Sequence, residues 1–359
     1  MESVGLKGLF GGCYYRRKVL VTGHTGFKGS WLSLWLSELE ADVAGLALAP
    51  DTTPAHWPLL RLSGVRDLRV DLRDGLAVRE AVDQFQPEIV FHLAAQPLVQ
   101  RSYRDPETTF DTNVLGLVHL LQSIRDVPSV RALINVTTDK VYMERPTEGG
   151  YRESDPLGGH DPYSSSKACA ELVSECYRKS FDLRIATARA GNVIGGGDWA
   201  EDRLVPDAIR AVTSGSTLRI RNPLALRPWQ HVLEPLSGYL RLGQKMLEDP
   251  TFADAWNFGP SPGLTLPVQA LASLIQNRWP GLRVESDTGA HPHEAMSLQL
   301  DSTKATQRLH WTAVWDAETA IGHTVDWYRA YYADGHIDSR DDLRKYISAA
   351  QAQGQAWAA

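Results

Sequence analysis

The first half of the 359-residue chain alternates short apolar runs with helical periodicities. Lys18–Thr22 is a β-rich run, and Gly23-His24-Thr25-Gly26-Phe27-Lys28-Gly29 follows it directly. From Ser30 to Glu40, Leu32, Trp35, Leu36 and Leu39 share one helical face. Val43–Leu48 and Asp67–Asp71 read as the second and third strands. Gly75–Phe85 reads as a helix carrying Val78, Ala81, Val82 and Phe85. Glu88–Ala95 is almost wholly apolar, as a strand covered on both faces should be. Asp105-Pro106 supplies a helix cap and an N1 proline, and Phe110, Val114, Leu117, Leu121 and Ile124 follow at helical spacing. Arg131–Thr137 is a fifth strand, Tyr163–Ser180 a helix and Asp182–Ala190 a sixth strand.

Repeated βα units of this kind predict an α/β fold with a doubly wound parallel sheet of the Rossmann type. After Gly191 the texture changes. Turns become frequent, and eight of the eleven tryptophans fall at or beyond Trp199. This predicts a smaller, discontinuous second domain. Val232–Leu247 as a helix and Ala255–Phe258 as a strand return to the main sheet. The expected division is 1–190 plus 232–258 for the first domain and 191–231 plus 259–348 for the second. The Ala- and Gln-rich tail, 349–359, is expected to fray.

Composition narrows the class. Hydrophobic residues are 43% and charged residues 22%, ordinary for a globular protein. A net charge of -6 argues against nucleic acid as the main partner. No run approaches the roughly 20 apolar residues of a membrane span, and no targeting segment is visible, so the cytoplasm is the expected location. Cys13, Cys169 and Cys176 form no C-x-x-C pair or disulfide framework and read as idle thiols. Cys169 and Cys176, seven apart, suggest packing on one helical face. His291, His293 and Glu294 lack companions at metal-ligand spacing and read as a polar loop, so no metal is expected.

Several motifs carry chemistry. Gly23, Gly26 and Gly29 lie between strand and helix, where backbone and a helix N-terminus can approach a pyrophosphate. The spacing is G-x-x-G-x-x-G, so the alternative is a plain strand–helix turn. Val43 to Leu60 contains no Lys or Arg for a 2′-phosphate, which favours NAD over NADP. Asp51 is either a ribose ligand or a solvated turn carboxylate, and Asp71 either an adenine-side group or a helix cap. Tyr163 and Lys167 lie four apart on a helix, where the ammonium would lower the phenol's pKa and suit it to proton abstraction. Thr138-Asp139-Lys140 follows the fifth strand, at the sheet edge where ligands bind. Arg219, Arg221 and Arg227 cluster in an otherwise acidic chain, as diphosphate ligands or as a solvated strand edge.

Together, Thr22-Gly-His-Thr-Gly-Phe-Lys-Gly-Ser-Trp31, Thr138-Asp-Lys140, Tyr163-x-x-x-Lys167, Gly191-Asn-Val-Ile-Gly-Gly-Gly-Asp198 and Arg227-Pro-Trp-Gln-His-Val232 resemble the CDP-glucose 4,6-dehydratases. These belong to the extended short-chain dehydrogenase/reductases. The resemblance runs in order from about Lys18 to about Trp327. It implies NAD-dependent oxidation at C4 of CDP-glucose, loss of water across C5 and C6, and hydride return to C6. Tyr163, helped by Lys167 and Thr138, would take the C4 hydroxyl proton, while Asp139 and Lys140 would serve the elimination.

The implied cofactor set is Gly23, Thr25, Gly26, Phe27, Lys28, Gly29, Asp51, Asp71, Leu72, Leu93, Ala94, Ala95 and Asn113, with Tyr163 and Lys167. The implied substrate set is Gln96, Asn192, Arg203, Arg219, Arg227 and His231. The helices at 106–125 and 163–180 would form a homodimer, or pairs of them a homotetramer. A role in deoxysugars for O-antigen or other surface polysaccharide would follow. Two alternatives stay open: a nucleotide-sugar 4-epimerase, which needs no Asp-Lys pair, and a non-catalytic NAD-binding protein on the same scaffold.

Overall fold

The computed structural model describes residues 6–145, 149–260, 265–287, 289 and 299–359. The candidate metal loop at His291, His293 and Glu294 lies outside them. The first half runs Lys18–Thr22 (β1), Phe27–Glu38 (α1), Asp42–Ala47 (β2), His56–Leu60 (α2), Arg66–Arg69 (β3), Gly75–Phe85 (α3) and Ile89–His92 (β4). It continues through Val99–Arg104 (α4), Pro106–Phe110 (α5), Gly116–Arg125 (α6), Ala132–Val136 (β5), Pro162–Phe181 (α7) and Ile185–Arg189 (β6). The second half begins with Val193–Ile194 (β7), Leu204–Ser214 (α8), Thr217–Ile220 (β8), Leu226–Arg227 (β9), Gln230–His231 (β10) and Leu233–Glu248 (α9). Ala255–Asn257 (β11), Leu266–Pro267 (β12), Val268–Arg278 (α10), Arg283–Ser286 (β13), Ala317–Asp334 (α11) and Ser339–Ala352 (α12) complete it.

Seven strands form one sheet in the order β11-β6-β5-β4-β1-β2-β3, every pair parallel. Strand side chains alternate between two cores, as a period of two requires. Val19, Val21, Ile89, Phe91 and Ile134 face the core shared with α1 and α9. Leu20, Val90 and Leu133 face the core built with α3, α6 and α7. The strand order reverses between β1 and β4, and the cavity described below lies at their carboxyl ends.

Three short two-stranded sheets, β7 with β10, β9 with β12 and β8 with β13, join α8, α10 and α11 in a second lobe. That lobe has its own core around Trp199, Ile209, Leu271, Ile275 and Trp327. No helix among the described residues is long and apolar enough to cross a membrane.

Two expectations are corrected here. The tail is not frayed: Trp357 and Ala358 are buried, and α12 contributes Leu343, Tyr346 and Ile347 to the main core. The cause is a partner far away in sequence. Phe10 stacks on Trp357 at 5.1 Å, and its N–H donates to the Trp357 carbonyl at 2.8 Å. Helix α1 is buried on all sides from Gly29 to Leu36, lying against α2, α9 and α12. The cysteines 169 and 176 do not build a packing face, since the first is only half-buried and the second exposed.

Candidate active site

A cavity of about 940 Å3 opens between the carboxyl edge of the sheet and the second lobe. Its floor begins with the glycine turn. Gly23 sits at φ +76°, and a Cβ there would lie 2.6 Å from the Ala94 nitrogen. A Cβ on Gly29 would lie 2.1 Å from the Gly23 carbonyl oxygen, so these two glycines permit β1, β4 and α1 to meet. Gly26 differs: its nearest neighbour would be the Gly23 carbonyl at 3.4 Å. Gly26 is the N-cap of α1 and supplies no side-chain acceptor, so the helix presents its first N–H groups to the cavity. This cradle fits the diphosphate of a dinucleotide.

Two side chains of the turn hold it in place. Thr25 donates to the Leu48 carbonyl at 3.0 Å, fixing the turn to the tip of β2. His24 lies 2.9 Å from Asp67 of β3, and Trp57 donates to the same carboxylate at 3.2 Å. A Cβ on Gly45 would strike the His24 ring, so β2 carries glycine there to admit the histidine. This anchor was not read from the sequence.

At the rim, Asp51 and Asp71 both line the cavity. Asp71 is bound by Arg73 through contacts of 2.6 and 3.1 Å, and that guanidinium holds its carboxyl below the usual range. Asp74, not Asp71, caps α3. Although Val43–Leu60 is free of Lys and Arg, Arg73 reaches this rim from just beyond β3. Arg69 donates to the Leu48 carbonyl at 2.9 Å and pairs with Asp67, as Arg73 does with Asp71.

The polar centre lies where β5 meets α7. Asp161 caps α7, accepting from Ser164 N–H at 3.0 Å, and Pro162 follows. The Tyr163 N–H donates to Ser102 at 3.1 Å. Tyr163 is thus fixed in the first turn, with Lys167 and Glu171 following on the same face. The Lys167 ammonium donates to the Val136 carbonyl at 3.0 Å. Glu171 accepts from Thr137 at 2.5 Å and Thr187 at 2.6 Å and pairs with Arg189 at 2.8 Å. That buried network fixes the end of β5 immediately before Thr138-Asp139-Lys140.

Thr138 caps the short turn Asp139–Val141 and donates to the Asp139 carboxylate at 3.0 Å. The other Asp139 oxygen is buried without a hydrogen-bond partner among the described residues. It lies where a Cβ on Gly191 would be, 1.8 Å away. An unpartnered buried carboxylate oxygen is costly unless a ligand uses it. Lys140 lines the same cavity.

Electrostatics corrects one expectation. Burial pushes Tyr163 up to about 12, and the opposing influences are its hydrogen bond to Thr138 and the Arg203 charge. Burial pushes Lys167 down to about 8, and its ammonium is turned to the Val136 carbonyl. Lys28 is pushed down to about 7 by burial and by the neighbouring positive charges of Arg203 and Lys167.

The second lobe closes the cavity with Asn192, Arg203, Arg219 and Arg227, joined by Arg221, Asn222 and Trp229. Arg203 donates to Asp198 at 3.0 Å. The loop bearing Asn192 is held by Gln230, which donates to the Gly191 carbonyl at 3.2 Å, while β10 pairs with β7. Leu72, Leu93, Ala94, Ala95 and Gln96 line the wall on the sheet side.

Two expected ligands lie elsewhere. Asn113 is buried behind the wall, accepting from the Gln96 N–H at 2.8 Å and donating to the Gln96 carbonyl and Ser166. It therefore positions Gln96 rather than facing the cavity. His231 lies behind Gly195, edge-on to Trp31 and Trp315, and burial pushes it down to about 3. Its motif neighbours Arg227 and Trp229 reach the cavity.

Residues 20–324 match a family model described as GDP-mannose 4,6 dehydratase. The CDP-glucose 4,6-dehydratase of Salmonella typhimurium is 45% identical, over 93% of this chain and 97% of its own. Among solved structures, the dTDP-glucose 4,6-dehydratase of Streptomyces venezuelae with NAD bound superposes with a TM-score of 0.76 at 25% identity, covering 87% of this chain and 97% of its own. The UDP-glucose 4-epimerase of Thermus thermophilus in complex with NAD has a TM-score of 0.77 at 27% identity, covering 87% and 99%.

Proposed function

Because the chain belongs to the GDP-mannose 4,6-dehydratase family of nucleotide-sugar enzymes, we propose that it dehydrates CDP-glucose to CDP-4-dehydro-6-deoxyglucose with NAD as cofactor. The observation that carries this reading is the convergence of Thr138, Asp139, Lys140 and Tyr163 on one cavity, with an Asp139 oxygen buried and unpartnered. The fold alone does not separate dehydratase from epimerase, since solved examples of both superpose equally well. An epimerase has no use for an acid and an amine placed for elimination across C5 and C6.

The glycine turn and the open first turn of α1 would hold the dinucleotide, with Asp51 at its ribose side and Ala94 and Ala95 at its nicotinamide side. Bound NAD supplies the hydride acceptor at C4 and the hydride that later reaches C6. Tyr163 acts as phenolate to receive the C4 hydroxyl proton, a form that a hydrogen bond from Thr138 and the Arg203 charge favour against burial. The ketone so formed acidifies the C5 proton. Lys140 and Asp139 divide the elimination, the amine taking the C5 proton and the acid protonating the departing C6 hydroxyl. Return of a proton to C5 and of hydride to C6 leaves loss of one water as the net change.

Arg203, Arg219, Arg227 and Asn192 of the second lobe would hold the CDP diphosphate, so that residues 191–231 and 259–348 form a substrate domain above the dinucleotide domain. Phe110, Leu115 and Leu172 leave apolar surface exposed along α5–α7, which supports a homodimer through these helices, and a tetramer from two such pairs. A cytoplasmic place in deoxysugar synthesis for surface polysaccharide such as O-antigen suits the reaction.

Purified protein with NAD and CDP-glucose in deuterated water should give a product lighter by one water and carrying one deuteron at C5. UDP-, dTDP- and GDP-hexoses should turn over more slowly. An unchanged mass with inverted C4 would establish the epimerase, and no change with any substrate would leave a binding protein. Lys140→Ala should still oxidise C4 yet form no 6-deoxy product; a normal rate of product formation would remove Lys140 as the base.

A further inference from the structure

The family match ends at residue 324, and α12 lies wholly beyond it. Yet α12 grips α1, whose first turn opens onto the cavity. Tyr346 packs edge-on against Trp35 of α1 at 5.9 Å, and Arg340 donates to Glu38 at the far end of α1 at 3.0 Å. At the near end, Ser339 reaches α1 through a third side chain, His56. The Trp327 indole donates to Ser339 Oγ at 2.9 Å. Ser339 Oγ lies 2.8 Å from His56 Nε2, and His56 Nδ1 lies 2.8 Å from Ser30 Oγ. Ser30 Oγ donates to the Phe27 carbonyl at 2.8 Å.

All four side chains are buried. An indole N–H can only donate and a carbonyl can only accept. One direction gives every hydrogen of the chain an acceptor: Trp327 to Ser339, Ser339 to His56 Nε2, His56 Nδ1–H to Ser30, Ser30 to Phe27. The glycine turn on the substrate side packs against the same line. A Cβ on Gly197 would lie 2.5 Å from the His56 ring, and one on Gly196 2.1 Å from Trp327.

We propose that α12 sets the affinity of the glycine loop for the dinucleotide through this relay, with Ser339 and His56 as positioning residues. The relay fixes the first-turn carbonyl of α1 before ligand arrives, so the N–H groups of that turn need less ordering on binding. Burial pushes His56 down to about 3, so the ring stays neutral and the relay keeps one direction at working pH. The inference rests on the dinucleotide reading of the cavity.

The test is titration of full-length protein with NAD, alongside steady-state turnover. Ser339→Ala should raise the Kd for NAD about five- to tenfold, the scale of one or two hydrogen bonds. Its kcat at saturating NAD should stay within about twofold of wild type. A brace that serves stability alone would lower the melting temperature without this split between Kd and kcat. Ser30→Ala should weaken NAD binding similarly, and the double variant should bind no worse than the weaker single one. Trp327→Phe, which removes the donor and some packing volume but keeps an aromatic ring, should give a smaller rise in Kd and decides the matter if Ser339→Ala does not fold. Unchanged Kd in both Ser339→Ala and Trp327→Phe, or additive effects of the two serine variants, would overturn the proposal. Wild-type protein that binds no NAD would overturn the cofactor reading and the proposal with it, and would show before any variant was made.

Discussion

Helices α1 and α7 both begin at the cavity, and their first turns are built in opposite ways. At α7, Asp161 accepts from Ser164, Pro162 brings no N–H, and Ser102 accepts from Tyr163. At α1, the N-cap is Gly26, and the nearby hydroxyls are turned to carbonyls, Thr25 to Leu48 and Ser30 to Phe27. A helix start whose donors are all met serves to aim a side chain, here the Tyr163 phenol. A helix start left without a side-chain acceptor serves to receive an anion. The two ends of one cavity thus divide into a fixed reagent and an open receptor.

The largest expected effect tests the fixed end. Tyr163→Phe should reduce turnover about a thousandfold or more while NAD still binds, read by single-turnover rates and cofactor titration. Wild-type turnover would remove the tyrosine from the chemistry. Next comes a pair of substitutions at the two caps. Asp161→Ala should cost about 1 kcal/mol of stability in denaturant unfolding. Gly26→Ala should cost less, about half a kcal/mol for the poorer N-cap, because only the Gly23 carbonyl lies near, but should weaken NAD binding by placing a methyl in the ligand's space. Equal effects of the two on stability and binding would erase the contrast between the caps.

The smallest effect concerns Lys28, pushed down to about 7 by burial and by Arg203 and Lys167. A bound diphosphate favours its charged form and raises that pKa. Binding should therefore take up a fraction of a proton at pH 7 to 8, and affinity should fall as pH rises through this range. Calorimetry in buffers of different ionisation enthalpy reads the uptake, and Lys28→Met should abolish it.

Much of the main sheet was legible because its signals are local. β1 and α3 match their expected bounds, and α7 begins one residue earlier, at the proline that its cap demands. The convergence of the candidate catalytic residues was legible for the same reason: Tyr163 and Lys167 share a helix face, and Thr138 to Lys140 follow a strand. What escaped depends on contacts distant in sequence. The tail's burial requires Phe10, and the His24 anchor requires Asp67 and a glycine at position 45. His231 belongs to a motif that reaches the cavity and Asn113 holds a residue that lines it, but their own side chains lie behind it. The expected lowering of the Tyr163 phenol is opposed by its burial, which spacing along a helix does not report.

The buried Glu171–Arg189 pair has a consequence for how this active site could be moved or remodelled. Through Thr137 and Thr187 it ties the Asp139–Lys140 turn to β6 and to the interior face of α7. The turn is therefore not a portable loop. Grafted alone onto a related scaffold, it would lose its footing, and a scaffold given Glu171 without Arg189 would bury an unpaired charge. Turn, helix and strand form the smallest transferable unit, so any change of reaction type on this framework must either keep all three or begin from a different edge of the sheet.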